Sequence, residues 1–186
     1  ERSVDVCYRY GVPTSTAPVL DFVESPKDKG AVTMNGSMVM YDEEYQQIKT
    51  IIGRLSSDAN AKLVFLVDKN GQQIASHGEV GQIDTTSLAS LTAGNVAATD
   101  GLARLIGEKE FPVLSHEGEH DNIHISIVAQ RVILVVIFDE RSSLGLVRLR
   151  VRRASNELTE VFEHIMKKVE REREMGVDLE SPFAEI

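Results

Sequence analysis

Apolar residues along this chain recur with two different periods, and the alternation between them predicts the order of its elements. From Asp42 to Ser57, Tyr45, Ile48, Ile51, Ile52 and Leu55 recur at spacings of three and four and so share one side of a helix. Asp42 is its expected cap, and Glu43 and Glu44 stand in the first turn, where carboxylates meet the positive end of the helix dipole. Leu63–Asp68 is an apolar run of strand length, Asp68-Lys69-Asn70-Gly71 is a tight-turn sequence, and Gln73–His77 returns, which predicts a hairpin. Pro112–Glu117 is a short strand, Ile123, Ile125 and Ile127 alternate with His124 and Ser126 in a second, and Val132–Phe138 reads as a central strand buried on both faces.

Residues 144–153 fit either period, since Val147, Leu149 and Val151 alternate with Arg148, Arg150 and Arg152. The longer window decides for a helix from about Ser143 to Arg173, because Val147, Val151, Ala154, Leu158, Val161, Phe162, Ile165 and Val169 keep helical spacing. Ser142 or Ser143 would cap it and Gly176 would end it.

The segment Ile83–Gly107 is the clearest helix and the least ordinary one. Asp84 or Thr85 can cap it, and Gly107 can end it in a left-handed conformation. Leu88, Leu91, Asn95, Ala98, Leu102 and Leu105 share one side, which is expected to face a core. Ala89, Ala93, Gly94, Ala97 and Gly101 form a second stripe of very small residues where a surface helix would carry Glu, Lys or Gln. Gly94 and Gly101 together cost about 2 kcal/mol of helix stability relative to alanine, so something must compensate. Either the helix is buried on two sides within its own domain, or another chain approaches it closely. The second reading is preferred, and Asp100 and Arg104 exclude a membrane-spanning version of it.

The expected architecture is α+β in the order α-β-β-α-β-β-β-α. A five-stranded, mostly antiparallel sheet would carry the first and last helices on one face and the middle helix on the other. The small-residue side would then lack a partner in the monomer, which points to a homodimer pairing two middle helices about a two-fold axis. Residues 1–33, with Pro13, Pro18 and Pro26 among polar residues, read as a disordered or non-native extension ahead of a natural start near Met34. The folded domain would be residues 34–174, with residues 175–186 a flexible tail.

Composition narrows the function classes. A net charge of −9 argues against a nucleic-acid binder. No apolar run is long enough to span a bilayer. One cysteine, Cys7, rules out an internal disulfide and a cysteine-based zinc site. His116-Glu117-Gly118-Glu119-His120 matches the letters of a zinc-hydrolase motif, but that chemistry needs both histidines on one helical face. Here the centre is glycine and the flanks are strand-like, so an exposed turn is expected, with no metal or other cofactor. The arginines at 141, 148, 150, 152 and 153 could bind an acidic partner or phosphate, and the plainer reading is a solvated helix surface.

Longer stretches carry a specific likeness. Asp58–Gln72, Ile83–Ala98, Leu105–Pro112, Val135–Val151 and the terminal SPFAEI together resemble the MglB-type gliding-motility regulators of the Roadblock/dynein-light-chain superfamily, over about Met34 to Ile186. The resemblance implies a cytoplasmic homodimer, placed at a cell pole, that binds a small Ras-like GTPase of the MglA type in its GTP form. It implies acceleration of GTP hydrolysis, with an association to nucleotide exchange, and no active site in the regulator itself. The GTPase carries its own catalytic groups, and the regulator repositions the switch regions without an arginine finger. The contact would run over the middle helices at Ala93, Gly94, Ala97, Ala98, Gly101 and Arg104, with Phe183 and Ile186 as anchors of a partial C-terminal arm. A Roadblock-type scaffold that binds a GTPase or motor without activating it, and a metal-dependent hydrolase using His116, Glu117 and His120, are the other readings.

Overall fold

A computed structural model describes residues 31–34, 38–81 and 83–174 of the chain. The expectations for residues 1–30, for the 175–186 tail and for Phe183 and Ile186 fall outside these residues. The elements are β1 (Ala31–Met34), β2 (Met38–Tyr41), α1 (Asp42–Asp58), β3 (Leu63–Asp68), β4 (Gln73–Gly78), α2 (Thr85–Leu105), β5 (Val113–His116), β6 (Asn122–Val128), β7 (Val132–Phe138) and α3 (Leu144–Glu174). From α1 onward this is the expected order. The β1–β2 ribbon is an addition to it, and it starts just inside the segment read as an extension.

Five strands form one sheet in the order β4-β3-β7-β6-β5, and each neighbouring pair is antiparallel. Strand alternation sorts the side chains to two faces. Val64 and Leu66 on β3, and Val132, Leu134, Val136 and Phe138 on β7, pack with Ile48, Ile52 and Leu55 of α1 and Val147, Leu158, Phe162 and Ile165 of α3. Leu63, Phe65, Val67, Ile125, Ile133, Val135 and Ile137 point the other way, towards Ala89 and Val96 of α2. β3 and β7 are buried along their whole length, which accounts for the unbroken apolar run of β7.

Local chemistry sets the joints. Asp68 folds the β3–β4 turn by accepting the N–H groups of Asn70 and Gln72 at 2.9 and 2.7 Å, and Gly71 supplies the positive φ the turn needs. The start of α1 differs from expectation. Tyr41 occupies the cap position without a side-chain bond, and Asp42 is already helical beside Glu43 and Glu44. At the start of α3, Ser143 caps as expected, its Oγ accepting the Leu146 N–H at 3.3 Å.

His124 on β6 is buried beneath α3, with its Nδ1 3.0 Å from the Ser115 hydroxyl. Burial, with a smaller effect from the charge of Arg148, pushes its pKa down to about 4. The folded form therefore resists protonation where the unfolded chain, titrating near 6.5, accepts it. Stability should be full above pH 6.5 and fall as pH drops towards 4. Thermal melts across that range should show the midpoint falling, with a shallower slope in His124→Gln. Equal slopes would mean that His124 is not the group responsible.

Candidate functional site

α2 is held firmly at both ends. The Asp84 carboxylate accepts the N–H groups of Thr86 and Ser87 at 3.0 and 3.2 Å and the Ser87 hydroxyl at 2.6 Å. These bonds, led by that hydroxyl, lower the Asp84 pKa below the usual carboxylate value. At the other end, Gly107 takes φ +84°, its N–H reaches Arg104 O at 3.3 Å, and the Glu108 N–H reaches Ala103 O at 2.9 Å. This 6→1 and 5→2 pairing is a Schellman motif, and it stops the helix where the sequence expects.

Between the caps, the structure divides the expected stripes differently: Ala89 and Ala93 turn inward, Gly94, Ala97 and Gly101 stay outward as expected, and most of the leucine stripe is exposed. The buried residues are Ala89, Thr92, Val96 and Ala103, with Leu88 and Ala93 half-buried against the sheet. Leu91, Leu102 and Leu105, expected in the core, are 72, 56 and 83% exposed. The physical reason lies in the sheet. Phe65, Ile125, Ile133 and Val135 already fill that face, so the helix crossing it approaches on alanines. The approach is close at the start of α2 as well, where a Cβ on Gly71 would lie 3.1 Å from Ser90 Cα.

The outward surface is therefore both apolar and low. Gly94, Ala97, Ala98, Gly101 and Arg104 are exposed, and a Cβ at Gly94 or Gly101 would meet nothing within 4 Å. Of the residues expected to bind a partner, Ala93 is the exception, because it packs inward. Ala97, Gly101 and Arg104 line one flank; Leu91, Ala98, Leu102 and Leu105 line the other, with Gly94 between them. The leucine flank was missed because helical spacing locates a stripe without saying which side of it is covered. Exposed leucines grouped with a glycine-rich surface mark an interaction site more strongly than either does alone.

The other expected chemistry is differently placed. His116 ends β5, with its Nε2 3.4 Å from Asn95 Nδ2 of α2, and Glu117–Asp121 connect to β6 without helix. A Cβ on Gly118 would collide with the carbonyl oxygen of Asp121, so a tight connection, not a helical turn, carries the two histidines. Among the described residues, no group of three His, Cys, Asp or Glu side chains is arranged to hold a metal ion. A cavity of about 230 Å³ lies near this connection, lined by residues including His116, Asp139, Glu140 and Ser143.

Arg141 Nε bonds both carboxylate oxygens of Asp139, at 3.0 and 3.1 Å. That pairing raises its pKa above the usual arginine value. The arginines of α3 lie across the sheet from α2. Among the described residues, no helix is long and apolar enough to cross a membrane.

A glycine-rich, leucine-flanked helix over one face of a five-stranded antiparallel sheet, with two helices over the other, defines a Roadblock/LC7 domain, and that family matches residues 47–138. The chain is 63% identical to Myxococcus xanthus MglB, over 69% of this chain and 96% of that one, with a TM-score of 0.66. It is 30% identical to the gliding protein MglB of Thermus thermophilus, over 70% and 99%, also with a TM-score of 0.66. An uncharacterized protein of Methanocaldococcus jannaschii is 28% identical over 115 residues, 62% of this chain and 99% of its own. The chain belongs to the MglB family of Roadblock/LC7 proteins.

Proposed function

We propose that the chain is a homodimeric regulator that activates GTP hydrolysis by a small Ras-like GTPase of the MglA type, itself without an active site. The observation that carries this reading is the outward face of α2, open and apolar on a monomer closely similar in sequence to MglB. Both partners use that helix. The flank of Leu91, Ala98, Leu102 and Leu105 packs against a second copy about a two-fold axis. Ala97, Gly101 and Arg104 of the two copies then form a shallow saddle for the GTPase. Such a saddle lets the switch segments lie close to the helix backbones, which an ordinary surface of long side chains would prevent. A solved MglB described as having a tetrameric arrangement supports self-association as a property of the family.

Activation proceeds by population shift. The saddle fits the hydrolysis-ready switch conformation of the GTP-bound form better than the resting one, and that difference in affinity is what the regulator supplies. It acts in the cytoplasm, at a cell pole, in a motility system, with Phe183 and Ile186 as further anchors on the GTPase.

An arginine finger in trans would supply about 10³–10⁵ in rate. Arg141 instead pairs with Asp139 of its own loop. Single-turnover GTP hydrolysis with Arg141→Ala should stay within a few-fold of the unaltered regulator. A loss on the order of a thousandfold would restore the finger. The decisive experiment for the whole reading is GTP turnover by the GTPase with and without the protein. Acceleration supports an activator, whereas binding without acceleration leaves a scaffold.

A further inference from the structure

The far half of α3 borders an open cavity that the α2 saddle does not use. It holds about 260 Å³ and is lined by residues including Ala129, Arg131, Phe162, Met166, Lys167 and Glu170. Phe162, Met166 and Glu170 recur every four residues, so they share one side of the helix, facing the β6–β7 turn. Phe162, only 1% exposed, forms an apolar floor, and half-buried Ala129 and Met166 pack against the same core. Lys167 is exposed at the rim and has no ion pair or hydrogen bond among the described residues.

The turn opposite the helix is built in an uncommon way. The Arg131 N–H closes it onto Val128 O at 3.2 Å, and both central residues, Ala129 and Gln130, take positive φ, 49 and 61°. Such a two-residue turn favours asparagine and glycine, because a Cβ is disfavoured in the left-handed region. Glycine at 129 would relax the backbone, but it would also remove one wall of the cavity. The chain has alanine there, and the wall stands.

The end of the chain can reach this cavity. Glu174 follows Glu170 in the same spacing of four, so α3 delivers the chain on the cavity side. From Met166 to Glu174 the helix runs about 12 Å. Residues 176–183 can span about 23 Å, so a segment turning back at Gly176, the stop expected from the sequence, brings Phe183 past Met166.

We propose that the C-terminal segment folds back along α3 and seats Phe183 in this cavity of its own chain, with its carboxylates against Lys167 and Arg131. Charge and shape select that occupant. Residues 175–186 carry Asp178, Glu180 and Glu185 and no lysine or arginine, so the segment is drawn to the two cations of the rim. Glu163 and Glu170 also line the cavity, and a polyanion or an anionic membrane would meet them unfavourably. One aromatic ring among a few carboxylates suits such a mixed rim. Tethering adds to the preference, since a short linker holds the segment at an effective concentration of about a millimolar. Phe183 is also proposed above as an anchor on the GTPase, and the cavity then holds it in reserve until the GTPase draws it out. Seating does not rest on that reading, and its test needs no GTPase.

The test uses the full chain in two measurements. In the first, a glutamate-specific protease cuts after Glu180, and intact mass follows the loss of residues 181–186. Each rate is divided by that of the matching free peptide 175–186, which removes any effect of a substitution on the protease itself. A segment seated about nine-tenths of the time is cut about tenfold more slowly than the peptide. Phe183→Ala should raise the normalised rate at least about fivefold, and Lys167→Glu about twofold. In the second measurement, methionine methyl groups are labelled with carbon-13, and Met166→Leu identifies the Met166 resonance. Phe183→Ala should move that resonance, because the ring no longer lies beside it. A Met166 resonance indifferent to Phe183→Ala would overturn the proposal, as would equal normalised rates in the wild type and Phe183→Ala. Protection that grows with protein concentration would place the segment on another molecule and overturn it as well.

Discussion

Gly101→Arg should reduce the stimulated rate of GTP hydrolysis to within about twofold of the GTPase alone at sub-saturating regulator, while the protein stays folded and dimeric. The side chain has room in the monomer, because nothing lies within 4 Å of the position where its Cβ would stand. Replacing glycine also improves helix propensity by up to about 1 kcal/mol, so the fold has no reason to suffer. The damage falls on the complex. An arginine projecting from the saddle would hold the switch segments away from the backbone, and overpacking in a close contact costs about 1–3 kcal/mol or more. Light scattering should confirm the dimer before turnover is read. A fully active Gly101→Arg would remove the saddle from the mechanism.

Replacing Leu91 and Leu102 together by glutamate should convert the dimer to a monomer. Burying one leucine contributes roughly 1.5–3 kcal/mol, and each subunit loses two such residues from the same contact. The dimer dissociation constant should therefore rise by at least about a hundredfold, seen by sedimentation over a range of concentrations. Both residues are largely exposed in the single chain, so circular dichroism should show an intact fold. A dimer that survives these substitutions would mean that two copies meet on some other face.

Much of this architecture can be read from residue spacing, and the exceptions have particular causes. α3 was decidable because Val147, Val151, Ala154 and Leu158 extend beyond the stretch in which the arginines alternate. β7 was decidable because Val132–Phe138 has no polar residue for either face. The inner and outer faces of α2 were not, since leucine suits a core and an interface equally, and only the bulk of Phe65 and Ile133 beneath the helix shows that alanines must point inward. Of the partner-binding positions read from the sequence, Gly94, Ala97, Ala98, Gly101 and Arg104 share the open surface and Ala93 does not. His116 and His120 matched a motif in letters alone, because Gly118 lies where the chain turns too tightly for a helix.

The alanine seam beneath α2 has a consequence for how the protein responds to its partners. α3 anchors itself with Leu158, Phe162 and Ile165, whereas the fully buried side chains of α2 are no larger than valine. In a lone chain, then, the stretch of α2 between its two capped ends has less apolar anchorage than the other helices. The surface proposed for docking is thus carried by the helix with the smallest buried side chains. A first partner that fastens α2 removes that looseness for the next, so the second association starts from an ordered helix and loses less entropy. On the proposed mode of docking, pairing of two copies would make each helix a stiffer platform, and the affinity for a third molecule would become a property of the assembled pair.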